Sequence, residues 1–487
     1  MIPGEHTGEW HLPNGKKYPG QLIIDSKKET IQLNIFGTEF IEGEIIKIPD
    51  TYPQHFHTII LGECDIEMTL YNCHWAGCEE VAKNLYRIEY RIEYVFTGIH
   101  FPDPSMLIRG GTFIFPNLST WYDGQLFLDK LEGRKGLYID GKHVVQDVTG
   151  TDEIKINSEL TLFLYDEVRK HIHKMSISYK VVYQKYLRLQ YLKDVPFKTL
   201  LKDAITLLKL MAFCFGKPLN LFITSVHVDK KYLEADPLDS LNKSQYRLIH
   251  VNNYTLKGRE KISNNSSHSR HMLLSRWTCT QEEMKQIIVK WFNNQSLHNI
   301  YEFYLDSNNW LQGTKARLSN IMFNNRFLNL IQGLEDYYRE HFEVTRTASD
   351  RQQFDKNKVA ILKTITDASL KKWLNNTFKF SKYPKLEEKL STILTDLSGE
   401  LSILFAGIPL TEFPKSATLF RNNLSHGMSK EINQGVSLHM IYYIAQVLLG
   451  TCILRTLEVK DIKKRIAYYS KFEDAAHQIH FMQNHPS

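Results

Sequence analysis

Six cysteines in 487 residues, mostly scattered, exclude a disulfide framework and suit a reducing compartment. Met1 to Glu5 show neither the basic segment nor the apolar run of a signal peptide. No apolar stretch reads as long enough to span a membrane. The longest, around Ile205 to Phe215, is interrupted by Lys209 and predicts a buried helix. The expectation is a soluble cytoplasmic protein with no membrane partner. A P-loop lysine pattern and a dinucleotide fingerprint are both missing, and Arg109, Gly110 and Gly111 have too little around them to form a phosphate loop. Internal repeats and low-complexity tracts are absent too, which removes solenoids and arrays.

What is present is an ordinary globular composition, 43% hydrophobic and 23% charged, with a net charge of +6. That charge permits an anionic partner without requiring one.

The first half predicts many short strands: 21–24, 31–35, 42–48, 58–61, 66–71, 106–108, 111–115, 126–128, 136–139 and 160–164. The clearest is 86–97, where Tyr86, Ile88, Tyr90, Ile92 and Tyr94 alternate. Short strands in such number suggest a sandwich or barrel. The period then changes. Between Pro196 and Phe215, Phe197, Leu200, Leu201, Ile205, Leu208 and Met211 fall on one helical face. Strands at 219–228 and 244–250 follow, and then an apolar-poor stretch, 257–270, reads as a loop or boundary.

From about Thr280 the chain predicts helices at 284–292, 300–304, 314–341, 358–374, 386–405 and 436–457, with Pro and Gly sparse. Polar, basic loops at 345–358 and 379–385 separate them and are candidate phosphate contacts or solvated loops. The expected fold class is α+β: a β-rich region, residues 1–275, then an all-α bundle, residues 280–475.

One segment carries chemistry. At about 100° per residue, Phe420 and Leu424 form an apolar seam. Arg421, Asn422, Ser425 and His426 share the opposite arc, with Asn422 and His426 an i,i+4 pair. An imidazole moves a proton near neutral pH and a guanidinium grips phosphate through paired donors. Arg421 and His426 lie about 140° apart on the helix, so one copy does not easily place both on the same atom. Two facing copies would, and a dimer-interface site is expected. The plainer alternative is an amphipathic helix with a solvated polar face, stopped at Gly427.

Cys64, Cys73, His74 and Cys78 form a candidate structural zinc set, competing with buried or incidental thiols. His55 with His57, and His171 with His173, are i,i+2 pairs with no third ligand nearby, so partly exposed strand histidines are expected. Trp10, Trp75 and Trp121 read as core residues rather than base-stacking platforms.

Arg421, Asn422 and His426 resemble the signature of the HEPN superfamily of helical-bundle ribonucleases, placed at a helix end before a long last helix, 436–457. The segment from Arg326 to Tyr338 looks like that family's first long helix, with Glu335 where related members carry an acid. Gly8 to Trp10 with Leu12 and Pro13, Leu61 to Glu63, Met68 to Cys73, Phe115 to Trp121 and Phe213 to Pro218 resemble the N-terminal domain of ApeA-type antiphage proteins. The resemblance implies a metal-independent endoribonuclease needing no cofactor, with Arg421, Asn422 and His426 catalytic and Ser425 and Glu335 in support. It also implies abortive defence, RNA including tRNA as target, a phage-derived trigger and a homodimer or higher homo-oligomer. The rival expectation is a non-catalytic dimeric scaffold or sensor that binds RNA, a nucleotide or a phage protein.

Overall fold

The computed structural model describes residues 4–13, 15–25, 28, 30–37, 56–83, 85–101, 103–115, 118–122, 152–172, 179–216, 219, 222–229, 246–253, 272–275, 278–307, 320–342, 348–381, 384–406, 408, 410–426 and 437–484. The chain divides into two compact units. The first is Met1–Ala212 with Leu219–Ser266, and the second is Phe213–Pro218 with Ser267–Ser487. The expected α+β class stands: a large antiparallel sheet is followed by a helical region.

In the first unit, strands β1 (Gly4–His11), β2 (Lys17–Asp25), β3 (Thr30–Gly37), β4 (Phe56–Glu63), β5 (Glu67–Ala82) and β6 (Leu85–Thr97) pair in the order β3-β2-β1-β4-β5-β6. β3 also pairs with β6, from Gln32 opposite Arg91 to Gly37 opposite Tyr86. That pairing closes six antiparallel strands into a barrel and leaves no free edge among them. Alternate residues fill it, among them Trp10, Leu22, Leu33, Ile60, Leu70, Ile88 and Ile92. On β5 the inward parity shifts from Met68 and Leu70 to Cys73. Asn72 marks the step: it takes φ 55° and drops out of the ladder, with the register unchanged from Tyr71 opposite Tyr94 to Cys73 opposite Ile92.

The sheet continues from β6 through β12 (Tyr246–Asn253), β11 (Phe222–Asp229), β7 (Leu107–Ile114), β10 (Tyr179–Pro196), β9 (Leu160–Ile172) and β8 (Asp152–Lys155). A short helix, α1 (Leu118–Tyr122), follows β7, and α2 (Phe197–Phe215) follows β10 directly. The Phe197 ring meets Tyr71, Tyr94 and Phe96 edge-on at 5.0 to 5.3 Å, which fixes where α2 begins. The buried stripe of α2 is Phe197, Leu200, Ala204, Leu207 and Met211, with Leu201, Ile205 and Leu208 at its half-buried margin. The stripe is therefore rotated from the face expected. Gly110 makes room for the β10 backbone and Gly111 for α2. A Cβ on Gly110 would lie 2.3 Å from the Leu189 carbonyl oxygen, and one on Gly111 would lie 2.5 Å from Leu200. The expected strands at 42–48, 126–128 and 136–139, and the loop at 257–270, lie outside the described residues.

The second unit contains α3 (Gln281–Asn293), α4 (Gln295–Ser307), α5 (Asn320–His341), α6 (Ala348–Thr364), α7 (Ala368–Ser381), α8 (Leu386–Asp396), α9 (Ser398–Leu401), α10 (Phe413–His426), α11 (Leu438–Thr456), α12 (Ile462–Tyr468) and α13 (Ser470–Asn484). Its axis is α11, buried from Met440 to Leu454 except at half-buried Tyr443 and Gln446, and capped by Ser437, whose side chain accepts from the Met440 N–H. This corrects an expectation. α11 is long and apolar enough to cross a membrane by length and composition, and 72% of that window is buried inside the bundle. Helix α3 is tied to α12 by a buried ion pair: Arg465 Nη2 donates to both Glu283 oxygens at 3.0 and 3.1 Å.

Three further expectations change. The loop at 345–358 is helical from Ala348 onward. The helix at 358–374 breaks at residues 365–367, where Asp367 Oδ1 accepts from the Leu370 N–H and caps α7. The helix at 436–457 is followed by α12 and α13, so it is not the last.

Candidate active site

Helix α10 buries Phe413, Ala417 and Phe420, an i,i+4,i+7 stripe, with Leu424 half-buried beyond it. The Phe420 ring stands edge-on to Phe327 of α5 at 6.5 Å. This contact sets the rotation of α10, and the rotation turns the next residue, Arg421, toward the outside of the bundle. Its side chain is 39% exposed. Asn422 and Ser425 are exposed, as a polar arc opposite the seam requires. His426 is the last residue of α10, and its side chain lies outside the described ones.

Glu335, near the end of α5, lies between two cations. Lys389 Nζ, from the first turn of α8, donates to Glu335 Oε1 at 3.0 Å. Arg421 Nη2 stands 3.9 Å from Glu335 Oε2. Arg421 Nη1 donates to Asn422 Oδ1 at 3.4 Å. The carboxylate is largely spent on Lys389 and holds Arg421 only at the limit of an ion pair. The remaining guanidinium donors have no hydrogen-bond partner among the described residues. With two positive charges against one negative, this corner keeps one unbalanced positive charge and open donors, which suits an anion. The structure thus brings together Arg421, Asn422 and Glu335. Ser425 lies a turn beyond on the same helix.

Two residues here carried no signal in the sequence. Lys389 sits in an ordinary Glu-Glu-Lys run and matters only because α5 and α8 pack together. Asn423 has its Nδ2 buried with no hydrogen-bond partner among the described residues. An unspent buried donor costs about 1–3 kcal/mol.

The zinc set is not gathered. Cys73 is buried in the barrel, whereas His74, next on the strand, is exposed on the other face with Nε2 3.2 Å from Glu93. Burial raises all three thiols, Cys64, Cys73 and Cys78, above their ordinary range, against thiolate formation. Glu9, His11 and Glu63 do converge within 4.8 Å, but Lys17 Nζ already occupies Glu63 at 3.2 Å, where a metal would meet a like charge. The paired histidines, His55 with His57 and His171 with His173, have side chains outside the described residues. Trp10 and Trp121 are fully buried, and Trp75 packs against the barrel core. Arg109 pairs with Asp194 at 3.5 Å on β7 rather than lying in a loop.

Barrel, extended sheet and helical bundle define a two-part protein with its polar site on the bundle. The Apea-like HEPN family model matches residues 328–462, which contain Glu335, Lys389 and the whole of α10. The model for ApeA N-terminal domain 1 matches residues 5–291, more than half of the chain, and the chain belongs to the ApeA family. Its HEPN domain supports nuclease-type antiphage defence in general. No curated protein and no solved structure matches the chain.

Proposed function

We propose that this protein is a metal-independent endoribonuclease that cuts RNA, tRNA included, in abortive antiphage defence. The observation that carries the reading is the half-exposed Arg421 guanidinium, held at arm's length by Glu335 and Asn422, on the same helix end as His426. In the reaction the ribose 2′-oxygen attacks the adjacent phosphorus while the bond from phosphorus to the 5′-oxygen breaks. The 2′-hydroxyl proton leaves to a base and the departing 5′-oxygen receives one, giving a 2′,3′-cyclic phosphate and a 5′-hydroxyl. His426 performs this proton transfer. Arg421 stabilises the charge on the phosphorane oxygens, and Asn422 orients His426 or the phosphate. Ser425 donates a further hydrogen bond. Glu335 is a positioning residue, since it reaches the substrate only through Arg421.

Arg421 and His426 are turned about 140° from one another, which favours a site completed across a twofold axis by a second copy. The β-barrel unit would restrain or trigger the bundle in response to a phage-derived signal in the cytoplasm.

The test is RNA cleavage by purified full-length protein against Arg421→Ala and His426→Ala variants that keep their fold and oligomeric state. Each variant is expected to lose on the order of a hundredfold or more in rate. Products should carry cyclic phosphate ends, and a DNA strand should resist. Wild-type rates in both variants, or toxicity in cells that His426→Ala leaves unchanged, would favour a non-catalytic scaffold instead.

A further inference from the structure

Helices α6 and α7 stand apart from the rest of the bundle in one respect. They pack on each other, and not one of their described side chains is buried. The pair is not a simple polar hairpin either. Leu370, Val359 and Ile361 are exposed, and Trp373 is 60% exposed. Residues 348–381 carry seven Lys and Arg against three Asp, a net charge of +4 in a chain whose whole net charge is +6. Lys356, Lys363, Lys371 and Lys372 are all exposed, two of them immediately before Trp373.

Its place in the chain matters as much as its composition. The pair is inserted between α5, which supplies Glu335, and α8, which supplies Lys389. Only four residues lie between Ser381 and Leu386, a reach of at most about 18 Å. The base of the arm therefore lies close to the carboxylate that holds Arg421.

We infer that α6 and α7 form a single-stranded RNA-binding arm, which delivers the phosphate backbone to Arg421 and stacks a base on Trp373. This rests on reading the end of α10 as an RNA-cutting site. Strand binding without sequence preference needs basic residues beside an exposed aromatic ring, and this arm has exposed lysines flanking Trp373. A second copy of the arm is the poorer occupant, because two surfaces of net +4 would repel. A burial-driven protein contact is also disfavoured by the lysines that flank Trp373.

The experiment measures binding of a fluorescently labelled single-stranded RNA of mixed sequence by full-length His426→Ala protein, which binds without cutting. Trp373→Ala, and separately the Lys371→Gln, Lys372→Gln pair, are added in that background. Loss of a stacking platform should weaken binding by about 5- to 150-fold. Loss of two phosphate contacts should reduce the slope of log affinity against log salt by about 1.4. Unchanged affinity and slope in both variants overturn the arm. A change of oligomeric state with RNA affinity untouched overturns it in favour of protein docking. Cleavage in the otherwise wild-type protein separates the two readings. If the arm variants cut normally while His426→Ala does not cut, the arm fails and the nuclease stands. If the arm variants lose binding but His426→Ala cuts at the wild-type rate, the nuclease assignment fails and the arm stands.

Discussion

Replacing Glu335 by Gln and Lys389 by Met, singly and together, measures how firmly the corner beneath Arg421 is held. The two side chains are 16% and 14% exposed, and their hydrogen bond is 3.0 Å. A charge-assisted bond of this kind contributes about 1.5–3 kcal/mol. The 3–5 kcal/mol of a fully buried pair is an upper bound here, because some solvent remains. Glu335→Gln keeps the volume, so no cavity term enters. It leaves the Lys389 ammonium facing a weaker acceptor, and a loss of about 2 kcal/mol follows. For a unit of roughly 200 residues, that lowers Tm by about 4–8 °C. Lys389→Met should cost about the same. The double variant should cost little more than either single one, because each has already removed the shared interaction. The coupling energy from denaturant unfolding of the four proteins is expected at about 1.5–3 kcal/mol. Additivity within about 0.5 kcal/mol would refute the argument, since uncoupled residues cannot share a positioning role. In RNA cleavage, Glu335→Gln should lower kcat more than it raises KM, because it loosens a group that acts on the transition state.

Glu283→Ala should cost about 3–5 kcal/mol in denaturant unfolding. It strands the buried Arg465 guanidinium and also removes the acceptor of the Lys460 N–H. Thr280→Ala, which removes only the α3 cap, should cost about 1 kcal/mol. In the first unit, burial, and then the charge of Arg188, push His227 down to about 4. The unfolded chain then binds a proton that the folded one refuses between pH 6.5 and 4. Stability from this residue is complete above pH 6.5 and falls by about 3 kcal/mol as pH drops to 4. His227→Gln should flatten that part of a urea-midpoint profile, and an unchanged profile would remove His227 as its cause. Gly216→Ala should destabilise by more than about 1–2 kcal/mol, since φ is +66° and its Cβ would lie 1.9 Å from Tyr469 Oη. Tyr469→Phe should recover part of that loss in a double-variant melt.

Legibility of the fold followed burial. The strand at 86–97 is visible because Tyr86, Ile88, Tyr90 and Ile92, which face the barrel core, alternate with polar residues. The alternation of β5 ends at Tyr71 because the left-handed Asn72 shifts the inward face, and a strict period of two does not survive that step. β1 went unseen, with Trp10 its only buried residue. Its pairing with β2 and β4 defines it, and pairing leaves no local pattern. β10, the longest described strand, shows no clean alternation because it carries Lys185, Arg188 and Gln190 among its apolar residues. Lys185 is nonetheless buried, with its ammonium 5.6 Å from the Tyr122 ring centroid. The early turns of α6 read as a loop for the physical reason that sets the helix apart: with nothing buried, no apolar stripe marks its period.

At the site, the rotation of α10 was legible from Phe420 and Leu424, and with it the outward turn of Arg421 and Asn422. Glu335 entered only through resemblance, and Lys389 and Asn423 not at all, since no spacing rule joins residues on three packed helices. Arg465 and Arg421 both meet a glutamate. Arg465 gives one nitrogen to both oxygens of Glu283 at about 3 Å, spends its other nitrogens on carbonyls, and is 6% exposed. Every nitrogen donates, so removing it can only loosen the bundle. Arg421 sits 3.9 Å from a carboxylate already taken by Lys389, is 39% exposed, and among the described residues makes one hydrogen bond, to Asn422. An exposed pair that long contributes little to stability. Arg421→Ala should therefore leave the melting temperature almost unchanged while abolishing cleavage, the reverse of Arg465→Ala. A large loss of stability from Arg421→Ala would mean that its geometry serves the fold, and the site would have to be sought elsewhere.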